Sequence, residues 1–211
     1  VSGDALVLAP IVVPLAAAVA CMPAWNRVRL QRSVAVGATA VALAASLQLL
    51  ARTAGEGIIV SRLGDWPAPF AIVLVSDLFA AIMTAVGALV GLAVAVYSPA
   101  GVDLLRERHG YYPLLLVLLA GVEGAFLTGD LFNLYVCFEV MLMASFVLLA
   151  LGGERAQLEG AVKYISLNLL SSTFFLTGVG LIYGLTGSLN MADLSVRVAE
   201  AADRGLVTTI A

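Results

Sequence analysis

The chain has 211 residues, of which 62% are hydrophobic and 12% charged, and its mean hydropathy is +1.04. Soluble domains run nearer 45–50% apolar and about 25% charged, so this composition excludes a soluble globule and a disordered tail. The net charge of −3 supplies no basic footprint for nucleic acid. What remains is a polytopic membrane protein, and uncharged runs decide its class. Ala5–Asn26, Ser33–Ala51, Leu78–Val102 and Tyr164–Ala192 carry no charged side chain. Each is about as long as the ~20 residues a helix needs to cross the hydrocarbon core, or longer, and none alternates as a barrel strand would. The expected fold is therefore an all-α polytopic membrane protein of about six transmembrane helices.

In chain order the spans fall at roughly 5–25, 33–51, 78–97, 111–128, 130–151 and 160–185. The first is read as a span rather than a secretory leader, because no positive region precedes it, only Asp4. Val1 in place of Met suggests a cut or processed chain. The loop after span two contains two β-rich runs, Ile58–Leu63 and Phe70–Val75. Gly64, Asp65, Pro67 and Pro69 punctuate them as a hairpin would, and Trp66 suits an interfacial belt. After span six, Asn190 with Asp193 three residues on resembles a capping box. Leu194, Val198 and Ala201 then share one face of a short amphipathic helix expected at the outer surface.

Charge sets the expected orientation. The odd-numbered turnarounds hold Arg27, Arg29, Arg32, Arg106, Arg108 and Arg155, while the even side holds Arg52, Arg62, Arg197 and Arg204. The positive-inside rule places the odd loops in the cytoplasm and the N-terminus outside a cell membrane. Cys21 and Cys137 both lie in apolar spans and read as packing residues. Two lone thiols make neither a disulfide framework, a metal site nor an iron–sulfur ligand set, so no cofactor is expected and the chain alone is no redox enzyme.

Glu123, Asp130 and Glu139 lie in or beside spans four and five. Asp130, in a Thr-Gly-Asp turn, is expected to face water or to cap span five. Glu139 lies about nine residues into span five, or about 13 Å down at 1.5 Å per residue. An ionisable group there costs roughly 3 kcal/mol, so it faces protein or water rather than lipid. Its bland reading is a protonated acid hydrogen-bonded to a neighbouring helix. Its functional reading is a proton or cation relay, since desolvation brings a carboxyl into the range where it exchanges protons near neutral pH. Glu123 lies about twelve residues into span four, between Gly121 and Gly124, which permit close helix approach. It either joins a buried network or pairs locally.

Lys163 is the one lysine, against ten arginines. It either snorkels or serves as a relay, because a desolvated lysine can lose its proton and an arginine cannot. By helix rise it lies about 12 Å from Glu139 along the membrane normal, so a hydrated link is expected rather than a contact. Lys163, Ser166, Thr173 and Thr177 form a polar stripe on span six that suits either helix–helix glue or a water wire. Gly178–Gly184 is no nucleotide fingerprint, since no strand precedes it.

The run GVEGAFLTGDLFNLYVCFEVML from Gly121, continued by EGAVKY and by YGLTGSLNMADL ending at Leu194, resembles the D-type subunit of Mrp-type multisubunit sodium/proton antiporters. The wider family includes the antiporter-like subunits of complex I and of membrane-bound hydrogenases. The likeness extends over essentially the whole chain, including the WPAPF loop, and covers only the front of a family member. It implies one membrane domain over residues 1–211, the N-terminal part of a longer subunit whose inverted repeats place ionisable residues near the midplane. It also implies that Glu139 is the family's buried glutamate and that Lys163 is the lysine of its KY motif. Further lysines of the family belong to later helices. At Glu123 the resemblance implies an uncharged residue in many relatives, so it carries no role over to that position.

The function expected is that of a proton/monovalent-cation translocating subunit, with Glu139, Lys163, Glu123, Asp130, Ser166 and Thr173 along the path. Its partners are other membrane subunits, the bilayer, H⁺ and Na⁺, and no nucleic acid. The alternative is a proton-pumping membrane-arm subunit of an NADH:quinone oxidoreductase or membrane-bound hydrogenase.

Overall fold

The computed structural model of the chain describes residues 5–63 and 71–201. Its helices are α1 (Ala5–Cys21), α2 (Val28–Glu56), α3 (Leu78–Gly101), the short α4 (Leu104–Arg108), α5 (Tyr111–Leu127), α6 (Leu131–Ala150), α7 (Arg155–Thr186) and α8 (Met191–Ala201). The helices α2, α3, α6 and α7 are long and apolar enough to cross a membrane. Helices α1 and α5 are apolar but only 17 residues long, or about 25 Å at the helical rise. The chain is an all-α polytopic membrane protein, with one small hairpin on it.

Boundaries differ from the expected spans for local reasons. Helix α1 stops at Cys21, just before Pro23, in a run of turns. Helices α2 and α7 start several residues earlier than expected, because Arg-bearing turns continue the helix beyond the apolar segment. An apolar run marks the membrane-embedded length, not the whole helix.

Helices α1, α2, α3 and α5 form a closed bundle in which α1 packs on α2, α2 on α3, α3 on α5 and α5 on α1. Small residues make this possible. Ala35, Ala38, Thr39, Ala42 and Ser46 of α2 are buried, as are Ala81, Thr84, Ala85, Ala88 and Ala95 of α3. Small side chains at helical spacing let backbones approach where lipid offers no hydrophobic drive. Two hydroxyls of the α2 seam are satisfied locally, Thr39 donating to the Ala35 carbonyl at 2.9 Å and Ser46 to that of Ala42 at 2.8 Å. Helix α6 then lies along α5, and α7 along α6. Gly121 and Gly124 set the α5–α6 approach: a Cβ at Gly121 would sit 2.9 Å from the Met141 amide nitrogen, and one at Gly124 would sit 2.8 Å from Cys137 Sγ.

The hairpin expected after the second span is present. Strands β1 (Ile59–Arg62) and β2 (Val73–Ser76) pair antiparallel, with Ile59 opposite Ser76. Its turn residues, including Trp66, lie outside the described residues. The hairpin, the Thr128–Asp130 turn and the start of α8 meet at one end of the molecule. The Gly129 amide donates to the Val73 carbonyl at 2.8 Å, and the Met191 amide donates to that of Gly129 at 2.9 Å. A side chain at Gly129 would strike Val75, 2.7 Å from its Cγ2, so this junction requires glycine there. The opposite end carries the arginine-rich turns.

Helix α8 begins as expected, with Asn190 Oδ1 accepting from the Ala192 and Asp193 amides. Leu194 is buried and Val198 half-buried, while the side chain of Ala201 lies outside what is described. Asp193 pairs with Arg197 at 2.9 Å, so the cap works chiefly through the asparagine.

Candidate functional site

Asp130 is an N-cap. Its Oδ1 accepts from the Asn133 amide at 2.9 Å, and the Asn133 side chain donates to Thr128 Oγ1 at 2.9 Å. The aspartate is only 7% exposed. Of its two expected settings, facing water or capping, the structure shows the cap, which satisfies an otherwise open helix terminus.

Glu139 lies eight residues into α6, about 12 Å from its start. It is half-buried, and its Oε1 is buried without a hydrogen-bond partner. The bland reading, a hydrogen bond to a neighbouring helix, is therefore not what these residues form at that oxygen. Glu123 is fully buried, and neither carboxyl oxygen has a partner. It points at α3, where Gly87 leaves it room: a Cβ there would sit 2.9 Å from its Oε1. Neither the local pair nor the hydrogen-bonded network expected for Glu123 is formed by its oxygens. A buried charge without a partner is costly.

These two carboxyls stand at the same level of the antiparallel α5–α6 pair, within about one helical turn, as the facing of Gly121 and Gly124 onto Cys137 and Met141 shows. They stand on its two outer sides, however. Glu123 looks onto α3 at Gly87, while Glu139 lies two residues, or about 200° around α6, from Cys137, which faces α5. The two carboxyls therefore face different neighbours, and the structure does not bring them together.

Lys163 is also apart. Its Nζ donates to Glu159 Oε1 at 2.7 Å, and its side chain is 71% exposed. The residues of α7 that face α6 are Asn168, Ser171, Ser172 and Phe175, which line a groove of about 200 Å³ with Tyr135, Phe138 and Leu142. At 3.6 residues per turn, Lys163, Ser166, Thr173 and Thr177 lie on the opposite face of α7. Ser166, Thr173 and Thr177 donate back to the carbonyls of Val162, Leu169 and Thr173. Within the described residues this stripe neither glues α7 to α6 nor leads to Glu139. The polar face that does meet α6, Asn168 with Ser171 and Ser172, is not among the residues singled out from the sequence. Its signal is the same 3–4 spacing, beginning at Tyr164, whose ring packs edge-on against Phe146 at 5.2 Å. Among the described residues no cluster of His, Cys, Asp and Glu can hold a metal ion.

Comparison with known proteins places these residues. The family described as "NADH:quinone oxidoreductase/Mrp antiporter, TM" matches residues 128–210, which include Asp130, Glu139 and Lys163 but not Glu123. The D-type subunit of a Na⁺/H⁺ antiporter from Bacillus subtilis (strain 168) is 45% identical over 97% of the chain and 41% of its own length. The chain is similar to such antiporter D subunits over nearly all of its own length. It spans about two fifths of the length of the curated relatives it matches. Among solved structures, a chain of the Mrp complex from Dietzia sp. DQ12-45-1b superposes with a TM-score of 0.82 at 32% identity, covering 93% of this chain and 39% of that one. A chain of the membrane-bound sulfane sulfur reductase, an archaeal respiratory membrane complex, superposes with a TM-score of 0.85 at 32% identity, covering 92% and 40%. The sequence resemblance is thereby borne out.

Proposed function

We propose that this chain is the N-terminal part of a subunit that translocates protons and a monovalent cation in a multisubunit antiporter, in a cell membrane and with its N-terminus outside. The observation that carries the proposal is the buried, unpartnered Oε1 of Glu139 near the middle of α6, inside the segment matched by the antiporter family. A carboxyl that no side chain neutralises can be neutralised by a proton and can release it when a path opens. Glu139 is the proton-exchanging group in this reading. Lys163 acts from the far face of α7, through water and the other helices of the longer subunit. Ser166 and Thr173 line that same outer face. Glu123 is a second protonation site inside the bundle, and Asp130 holds the start of α6 in register.

The test is Glu139→Gln in the full-length protein within its complete complex, assayed in everted vesicles. The expected outcome is loss of Na⁺-dependent collapse of the proton gradient with assembly intact. Wild-type activity in that variant would remove Glu139 from the mechanism.

The likeness to a chain of an archaeal respiratory membrane complex favours a second reading, in which redox chemistry in other subunits drives proton pumping through this one. Mass spectrometry of the natively extracted complex separates the two. Flavin and iron–sulfur companions support the redox arm, and small hydrophobic companions alone support the antiporter.

A further inference from the structure

At the arginine-rich end, the turn between α1 and α2 and the segment between α3 and α5 enclose an open groove of about 640 Å³. Arg27, Arg29, Arg32 and Arg108 line it together with Leu30 and Leu104. Arg32 is committed: its guanidinium donates to both oxygens of the buried Glu107, at 3.0 and 2.6 Å. Arg27, Arg29 and Arg108 are exposed and form no ion pair with any described carboxylate. No side chain caps the start of α2 at Arg27, so the positive end of a long helix adds to the same field.

The groove is built rather than incidental. Gln31 Nε2 donates to the carbonyls of Ala24 and Trp25 at 3.1 and 3.0 Å, holding the turn that carries Arg27. The Arg32–Glu107 pair, with Tyr112 donating to Glu107 at 2.7 Å, fixes the segment carrying Arg108 against α2. Beside the three free guanidinium groups, Trp25, Leu30, Leu104 and Leu105 are exposed. Aromatic and aliphatic side chains next to cations at the end of a span mark the headgroup level of a bilayer. Guanidinium groups match phosphate oxygens in pairs.

We propose that this groove binds the phosphodiester headgroup of an anionic phospholipid, with Arg27, Arg29 and Arg108 on the phosphate and the leucines against its acyl chains. The exposed leucines beside the arginines select a lipid over free phosphate. The site does not depend on the transport role of Glu139.

The experiment uses the full-length protein in its delipidated native complex, with phosphatidylglycerol added back and bound lipid counted by native mass spectrometry. Arg27→Gln/Arg29→Gln/Arg108→Gln is expected to lose one retained phosphatidylglycerol, with binding weakened about fivefold per arginine removed. Arg155→Gln, at the same end but outside the groove, is expected to bind as wild type. Should the triple variant have a lowered unfolding midpoint, the single Arg108→Gln is read in its place. Undiminished phosphatidylglycerol in the arginine variants would overturn the proposal, as would equal loss from Arg155→Gln. Competition by millimolar inorganic phosphate as effective as that by phosphatidylglycerol would overturn the lipid assignment in favour of a soluble phosphate.

Discussion

The bundle of α1, α2, α3 and α5 and the pair α6–α7 are built from the same kind of apolar sequence, yet they are held together differently. Helix α5 buries ten of its residues, including Leu115, Leu116, Leu119 and Glu123, whereas α6 buries Ala144 and Phe146 and α7 buries Ala161 and Val179. The bundle satisfies itself through small residues and a locked polar end. In the pair, Lys163, Ser166, Thr173 and Thr177 are exposed, while Glu139 is half-buried and its Oε1 has no partner. Hydrophobicity places both regions in the membrane, and only packing distinguishes scaffold from candidate path. The variants below test that division.

The largest effect is expected at the polar lock of the bundle. Glu107→Ala would strand Arg32 and Tyr112, whose hydrogen bonds converge on that carboxylate. Breaking a buried pair from one side costs several kcal/mol. Since Arg32 is 33% exposed, the loss is expected at the low end, about 3 kcal/mol, read as a lowered thermal midpoint in detergent. The same site carries a pH signature. Burial pushes the Glu107 carboxyl up, but the hydrogen bonds from Arg32 and Tyr112 and the Arg32 charge outweigh it and hold it below its ordinary value of 4.5. A depressed carboxyl contributes stability that is fully present above the ordinary value and fades as pH falls through the folded one. Wild type should therefore lose stability on acidification below about pH 4.5 more steeply than Glu107→Gln. Parallel pH profiles for the two would show that the lock is not ionic.

A smaller effect is expected where the two regions meet. In Gly121→Ala the new methyl would sit 2.9 Å from a backbone nitrogen of α6, which cannot rotate aside as a side chain can. Overpacking of this kind costs about 1–3 kcal/mol. The strain is relieved by moving α6 and Glu139 away from α5, so transport should fall more than the thermal midpoint does. If Gly37→Ala, where a Cβ meets nothing within 4 Å, lowered transport equally, the α5–α6 approach would not be what matters.

How far this division is legible in the sequence depends on the type of signal. The spans, the hairpin after Glu56, the Asn190 cap and the close approach at Gly121 and Gly124 all follow from local composition and turn chemistry. Helix ends at Arg27 and Glu154 do not, because helical hydrogen bonding continues past the apolar segment. Glu139 stands out because a carboxylate in the middle of a span is anomalous whatever surrounds it. The facing of α7 differs from expectation because helical spacing reveals a stripe without saying which neighbour it meets. Both Lys163–Ser166–Thr173–Thr177 and Tyr164–Asn168–Ser171–Phe175 satisfy the period. The Glu107 lock joins Arg32 to a residue far along the chain, a pairing that no local pattern encodes.

The smallest stability effect, and the sharpest test of the outer face of α7, belongs to Lys163. Its bond to Glu159 is a solvent-exposed i,i+4 pair, a class worth about 0.3–0.5 kcal/mol at most. Lys163→Ala should therefore leave the thermal midpoint of the complex nearly unchanged. If Lys163 only snorkels, transport is equally indifferent, and Lys163→Arg behaves as wild type. If a proton must move through its amine, both variants slow transport, because arginine keeps its charge but does not give up its proton. Slow transport with unchanged stability in both would turn the exposed face of α7 into part of the path. Wild-type rates in both would confine the path to the Glu139 side of α6.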